Sequence, residues 1–402
     1  MKTNANLQQT ESIQEQTEML DEFLEQNYEF RHNLLSDKYE MRERRKDGEP
    51  VEFRPVTRET VNTIALRIKR EGLELRSIRQ CMEEHIYSEE TPQFCPIRNY
   101  LESLPEWDGK DHVSMLFARI PGVTSQQKEL LATWLRSCVA HWAGIDTIHA
   151  NECVVTLIES QGCGKSTFCA RLLPPSLRMY YLDHINLGNK NDKEMALTGN
   201  LIVNIDELDQ IRHSQQAALK QTLSKSTVNG RPIYGRAQVQ RRRYASFVST
   251  TNNLRPLNDC TGSRRFLCVQ IPDGNIIDNC GEIDYGQLYA QVLREINVEE
   301  KRYWFTNAQV ALIERNNIAY QRVINMESMV EFCFRRPEDD ESVSPMYIKE
   351  IVSRLKSEFP DISSSKGLFV SVGRTLKGLG YERKTMRQGN VYYIIPKLKE
   401  AV

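Results

Sequence analysis

None of the ten cysteines, which run from Cys81 to Cys333, belongs to a C-x-x-C pair or to a tight Cys/His cluster. That argues against a structural zinc site and a disulfide framework, and points to reduced thiols in a cytoplasmic compartment. Long hydrophobic runs are missing as well. The longest, such as Val154–Ile158, fall far short of a bilayer span, and no basic flank leads into an apolar stretch at the N-terminus. No membrane association is expected. Internal repeats are absent, and the seven histidines are scattered. What remains is a chain of 402 residues, 40% hydrophobic and 27% charged, long enough for two or three domains with a generous core.

The formal net charge of −1 conceals an asymmetry. Residues 1–26 carry six acids and one base, whereas residues 220–265 carry ten Lys or Arg and a single acid, Asp259. A neutral protein with one concentrated basic stretch suits a nucleic-acid contact zone, and the interleaved Gly, Pro, Tyr and β-branched residues do not form a single helix face. Periodicity predicts an amphipathic helix over 10–26, strands within 28–57, and helices at 58–71, 76–88 and 125–144. From residue 152 short apolar strands alternate with helices, predicting an α/β layered domain with strands Val154–Ile158, Tyr180–Ile185, Leu201–Ile205, Ala245–Thr250 and Phe266–Ile271. After a charged, proline-containing linker, Arg335–Pro345, two helices (346–359 and 368–379) precede a hairpin of Glu382–Met386 and Val391–Ile395. This is a winged-helix-like pattern, and a small α+β cap shares it. The expected division is therefore an N-terminal accessory region at 1–95 with an acidic helical arm, a helical lead-in at 96–150, an α/β core at 151–335, and a C-terminal domain at 336–402.

Four motifs carry chemistry. Strand Val154–Ile158 runs into Gln161, Gly162, Cys163, Gly164, Lys165, Ser166 and Thr167, and a helix follows. Glycines let backbone N–H groups face phosphates, the lysine reaches the β and γ oxygens, and Ser166 places its hydroxyl on Mg²⁺. Glu159 stands where the first glycine of G-x-x-x-x-G-K-[ST] belongs, a carboxylate that either opposes the phosphates or turns outward. The second motif is an apolar strand ending in Asp206-Glu207, where Asp206 would hold Mg²⁺ and Glu207 would polarise the attacking water. Solvated acids at a strand end look the same, but a preceding phosphate loop favours catalysis. The third is Phe247–Asn253, whose Asn252 would sit between the other two and sense the γ-phosphate. Gly262-Ser263-Arg264-Arg265-Phe266 then offers Arg265, with Arg264 as its alternate, to neutralise transition-state charge across a subunit boundary. Surface ion pairing is the competing role.

These residues, together with Pro96-Ile97-Arg98, Tyr100-Leu101, Trp107-Asp108-Gly109-Lys110, Arg231-Pro232 and Tyr234-Gly235-Arg236, resemble the virulence-associated protein E family over about 95–272. That family comprises P-loop ATPases of phages, plasmids and genomic islands, related to superfamily-three helicases. Tyr28–Asn33 also resembles the N-terminal region of such proteins from Bacteroides-like bacteria. The resemblance implies an AAA+-like core behind a mostly helical N-terminal region, ATP and Mg²⁺ as cofactors, a homo-oligomeric ring (a hexamer), and single-stranded DNA as the track. It also implies a hairpin between the second and third motifs that enters the pore. Lys220, Arg231, Arg236, Arg241, Arg242 and Arg243 would then follow phosphates, while Tyr234 and Tyr244 stack on bases. No primase domain is expected. The function expected is a helicase or replication-initiation motor of a mobile element, with a replication or mobile-element protein as a further partner. The rival is an ATP-gated oligomeric switch or scaffold without unwinding; a small-molecule kinase fits the motifs poorly.

Overall fold

The computed structural model describes residues 2–45, 49, 51–73, 76–159, 162–211, 213–230, 237–257, 260–321, 326–338, 341, 343–359, 362, 367–386 and 389–397. The chain opens with helix α1 (Lys2–Asn27), longer than the sequence periodicity indicates, and strands β1 (Tyr28–Asn33), β2 (Lys38–Glu43) and β3 (Arg54–Pro55). Helices α2 (Arg58–Arg70) and α3 (Ile78–Ile86) and strand β4 (Gln93–Phe94) complete this region, whose sheet has the order β3-β2-β1-β4. Phe30 and Met41 face each other across the β1–β2 ladder, and both are buried with Leu20, Leu24, Ile64, Ile68 and Met82. Beside them, Arg31 is sandwiched between the rings of Phe53 and Phe94, 3.8 and 3.6 Å from their centroids, and pairs with Glu40.

A helical lead-in follows: α4 (Pro96–Glu102), α5 (His112–Phe117) and α6 (Ser125–Ala143). A capping box between Thr124 and Gln127 starts α6, and Gly144, at φ 81°, ends it. Buried Trp134 and Trp142 anchor this helix, their indole N–H groups donating to the carbonyls of Cys153 and Tyr244.

The core continues through β5 (Val154–Ile158), α7 (Lys165–Ala170), β6 (Tyr181–Leu182), α8 (Lys190–Gly199), β7 (Ile202–Asp206) and α9 (His213–Ser224). Next come β8 (Thr227–Gly230), β9 (Val239–Arg242), β10 (Ser246–Thr251), β11 (Phe266–Gln270), α10 (Tyr285–Asn297) and α11 (Asn307–Asn317). Five strands form one parallel sheet in the order β11-β5-β10-β7-β6. All five residues of β5 are buried: Val155 and Leu157 pack into one hydrophobic cluster, Val154 and Ile158 into another on the opposite face. Burial on both faces is why the strands read as continuous apolar runs. The second strand is the exception, with two residues where the sequence suggests six. Outside the sheet, β8 and β9 pair as an antiparallel hairpin between the second and third motifs.

Residues 326–397 form a further compact unit from α12 (Met326–Cys333), β12 (Phe334–Arg335), β13 (Met346–Tyr347), α13 (Ile348–Glu358), α14 (Leu368–Gly378), β14 (Arg383–Met386), β15 (Gly389–Tyr392) and β16 (Ile395–Pro396). A three-stranded sheet, β13-β15-β14, packs with the apolar faces of α13 and α14 around Ile351, Leu355, Val372 and Leu376. Among the described residues no helix is long and apolar enough to cross a membrane.

One buried polar group joins the N-terminal sheet to the core. Asn33, 1% exposed, donates to Glu40 Oε1 at 2.7 Å and to the Tyr180 hydroxyl at 2.8 Å, and its own carbonyl accepts from the N–H groups of Leu35 and Ser36. Removing the amide strands several buried partners, each costing about 1–3 kcal/mol. Asn33→Ala should therefore lower the urea midpoint of unfolding; an unchanged midpoint would show that the network adds no stability.

Candidate functional site

A cleft of about 460 Å³ opens at the carboxyl ends of β5, β7 and β10, lined by Gly162–Thr167, Asp206, Glu207 and Thr250–Asn252. Parallel pairing brings these residues together. Thr251 is opposite Ile158 on one side of β10, and Thr250 is opposite Asp206 on the other, so the three strands finish at one level. Gly162 and Gly164 adopt φ of 101° and 88°, a region that side chains disfavour, and this turns the loop into the first turn of α7. A Cβ on Gly164 would also lie 2.5 Å from Asn279 Nδ2. Gln161 lies outside the described residues.

Lys165 is 7% exposed, and its ammonium group is held inside the cleft by the Glu159 carbonyl at 2.8 Å and Asn252 Oδ1 at 3.1 Å. Ser166 and Thr167 are exposed along the rim. Asp206 accepts a hydrogen bond from the Thr250 hydroxyl. Glu207 follows at φ 51°, a left-handed conformation costing about 1–2 kcal/mol for a residue with a side chain, and its carboxylate is exposed. Burial, and then a hydrogen bond to Glu159, raise the pKa of the Cys163 thiol. Burial pushes Cys169 up to about 12, with the Asp206 carboxylate adding to the shift. Both sulfurs are therefore neutral, and the loop presents no thiolate to an anionic ligand. Glu159 does not turn outward: it is 3% exposed at the end of β5, where its carbonyl positions Lys165.

Several residues that support the cleft carry no recognisable motif. Asp209 accepts from the hydroxyl of Thr251 and the amide of Asn253, tying the two acidic and polar strand ends together. A strap after β11 covers the back of the glycine-lysine loop: Ile277 N–H donates to the Cys163 carbonyl and Asn279 Nδ2 to the Gly164 carbonyl. Arg119 and Arg171 fix that strap through the carbonyl of Gly281. An Asn-Cys-Gly turn is visible in the sequence, but nothing there assigns it to the loop.

Arg264 and Arg265 lie at the other end of the sheet. Phe266 pairs with Val154 at the start of β5, four residues before the cleft, a separation of about 13 Å along the strand. Arg265 is 14% exposed, paired with Glu152 at 3.1 Å and donating to the Ser224 hydroxyl. Arg264 is exposed. Both line a second cavity of about 600 Å³ with Glu152, His149, Tyr303 and Trp304.

The basic stretch needs correction. Arg243 is not available to a phosphate: it is 2% exposed, and its guanidinium donates to the carbonyls of Ala245, Leu223, Lys225 and Asn151. Burial lowers its pKa to about 10, which still leaves it charged at neutral pH. Arg242 donates to the His141 and Trp142 carbonyls at the end of α6, where a cation complements the helix dipole. Arg241 pairs with the buried carboxylate of Glu194 at 3.3 Å. Tyr244 is 8% exposed and unavailable for stacking. Lys220 is half-buried on α9, and Arg231, Tyr234 and Arg236 lie outside the described residues. Arg243→Gln should consequently destabilise the fold by roughly 3 kcal/mol or more, because buried carbonyls lose their donors. The check is the urea midpoint; a variant as stable as the parent would mean that these contacts are dispensable.

Comparison with curated proteins gives no match. Among solved structures, an apo structure of the C-terminal region of NrS-1 aligns at TM-score 0.45 and 13% identity, covering 94% of this chain and 98% of that one. An A-form apo structure of the same region gives TM-score 0.44, also at 13% identity, with the same coverage. The family model for the virulence-associated protein E-like domain matches residues 101–322, which include the whole cleft and the arginine pair. The chain therefore belongs to the virulence-associated protein E-like domain family.

Proposed function

We propose that the protein is an oligomeric, nucleic-acid-dependent ATPase, a helicase or replication-initiation motor of a mobile element. The observation that carries this reading is the convergence of Lys165, Asp206, Glu207 and Asn252 in one cleft at the carboxyl edge of a parallel sheet. Numbered within the core, the strand order is 5-1-4-3-2, which supports an AAA+-like architecture. Helices α12, α13 and α14 with the β14–β15 wing support a winged-helix-like C-terminal domain.

In this reading Lys165 leaves the Glu159 carbonyl for the β and γ oxygens of ATP, and the backbone of Gly162–Lys165 cradles the phosphates. Ser166 and Asp206 suit Mg²⁺: both are exposed in the cleft, and Asp206 rests against a neutral hydroxyl rather than a cation. When bound, Mg²⁺ neutralises charge on the phosphate oxygens. Glu207 orients the water and accepts its proton, and Asn252, already beside Lys165, holds the γ end. Arg265, expected first for this role, is 14% exposed and held by Glu152, so the role passes to its alternate: Arg264, exposed and remote from its own cleft, serves the cleft of an adjacent subunit.

The inward-facing Arg241–Arg243 favour one alternative, an ATP-gated oligomeric switch, because they leave the DNA contact to Arg231, Tyr234 and Arg236 beyond β8. The combined change Arg231→Gln, Tyr234→Ala, Arg236→Gln should remove stimulation of hydrolysis by single-stranded DNA. It should also flatten the salt dependence of binding by about 1.4 in slope, at about 0.7 per phosphate contact. Hydrolysis that single-stranded DNA fails to stimulate in the unaltered protein supports the switch instead. For the cleft itself, Lys165→Ala should abolish nucleotide binding. Glu207→Gln should retain binding but slow turnover by about a hundredfold or more, as loss of a general base does. Nucleotide titration and phosphate release measure the two effects, and full turnover by Glu207→Gln would sink the assignment.

A further inference from the structure

We infer that Asn317 is the positioning residue for the arginine pair, an inference that rests on the proposed role of Arg264 at a neighbouring subunit's cleft. Asn317 closes α11 and is 1% exposed. Its side-chain nitrogen donates to the Ser263 carbonyl at 2.6 Å and to the Phe266 carbonyl at 2.7 Å. An amide nitrogen has two hydrogens, and these contacts use both of them on the carbonyls that bracket Arg264 and Arg265.

The two bonds come from a different element of the fold. Arg264 and Arg265 end a 3₁₀ turn, Cys260–Arg265, which passes directly into β11. Asn317 bonds to the residue just before the pair and to the first residue of β11 just after it, so the backbone on either side is tied from behind. Arg265 adds a third tether through Glu152 and Ser224. The residues after Asn317 hold the beginning of the same stretch: Leu257 N–H donates to the Tyr320 carbonyl, and Leu257 bridges Gln321. Arg264 is thereby presented to solvent on a backbone tethered on both sides. This matters because a displacement of about 1 Å at a charge-stabilising group can cost about a hundredfold in rate.

Subunit mixing separates this role from general stability. Asn317→Ser removes the amide, and Asn317→Asp keeps its size while replacing the donor with an oxygen facing two carbonyl oxygens. Both variants should bind a non-hydrolysable ATP analogue as the parent does, and both should lose hydrolysis by about a hundredfold, in parallel with Arg264→Ala. Mixed with Lys165→Ala subunits, which lack a working cleft but carry an intact arginine segment, they should regain activity. Mixed with Arg264→Ala subunits they should not. The double variant Arg264→Ala/Asn317→Ser should be no slower than Arg264→Ala alone. Parent-like hydrolysis by both Asn317 variants, beside a defective Arg264→Ala, overturns the inference while leaving the trans arrangement standing. Loss of analogue binding by both variants also overturns it, making Asn317 a general fold residue. Full hydrolysis by Arg264→Ala overturns the parent reading and this inference with it.

Discussion

Strand β10 is hydrogen-bonded in parallel to β5 on one side and to β7 on the other, and the chemistry of the cleft follows from that placement. Five consecutive pairs on each side fix its register, so a shift by one residue would exchange the buried faces of the whole strand. In the observed register the Thr250 hydroxyl meets Asp206 and Asn252 meets Lys165. Both hydrophobic clusters hold that register, because Phe247 packs on one face of β10 and Val248 on the other. The polar side chains at the strand ends are thus placed by apolar packing several residues away.

The same sheet separates two sets of residues that the proposed reaction would use. The cleft occupies its carboxyl edge, and the arginine pair its amino edge. Each is braced from outside the sheet: the glycine-lysine loop by the strap at Ile277–Gly281, the arginine segment by Asn317. The exit of β10 also touches the C-terminal unit, where Arg255 donates to the Glu358 carbonyl at the end of α13 and lies 5.1 Å over the ring of Phe359. A change at Asn252 or Asn253 therefore has a short physical path to that unit.

Much of this was legible in the sequence. Apolar runs such as Val154–Ile158 and Leu201–Ile205 are explicit because central parallel strands are buried on both faces. The loop Gly162–Thr167 is explicit because two glycines and a lysine stand between an apolar strand and a helix. Direction was harder to read. Arg241, Arg242 and Arg243 are three consecutive cations, yet carbonyls and a buried carboxylate draw them inward. Those partners, such as Asn151 and Glu194, come from segments distant in sequence. Glu159 is hidden for a similar reason, since its backbone carbonyl contacts Lys165. Asn279 and Asn317 act on backbone carbonyls, which leave no mark in a sequence.

The central claim is that one catalytic site is built from two subunits. The most direct test measures the ATP hydrolysis rate per subunit across a dilution series while sedimentation reports the mass of the species present. The account predicts negligible hydrolysis by monomers and a rate per subunit that rises in step with assembly. A rate per subunit that stays constant down to concentrations where only monomer is present would contradict it.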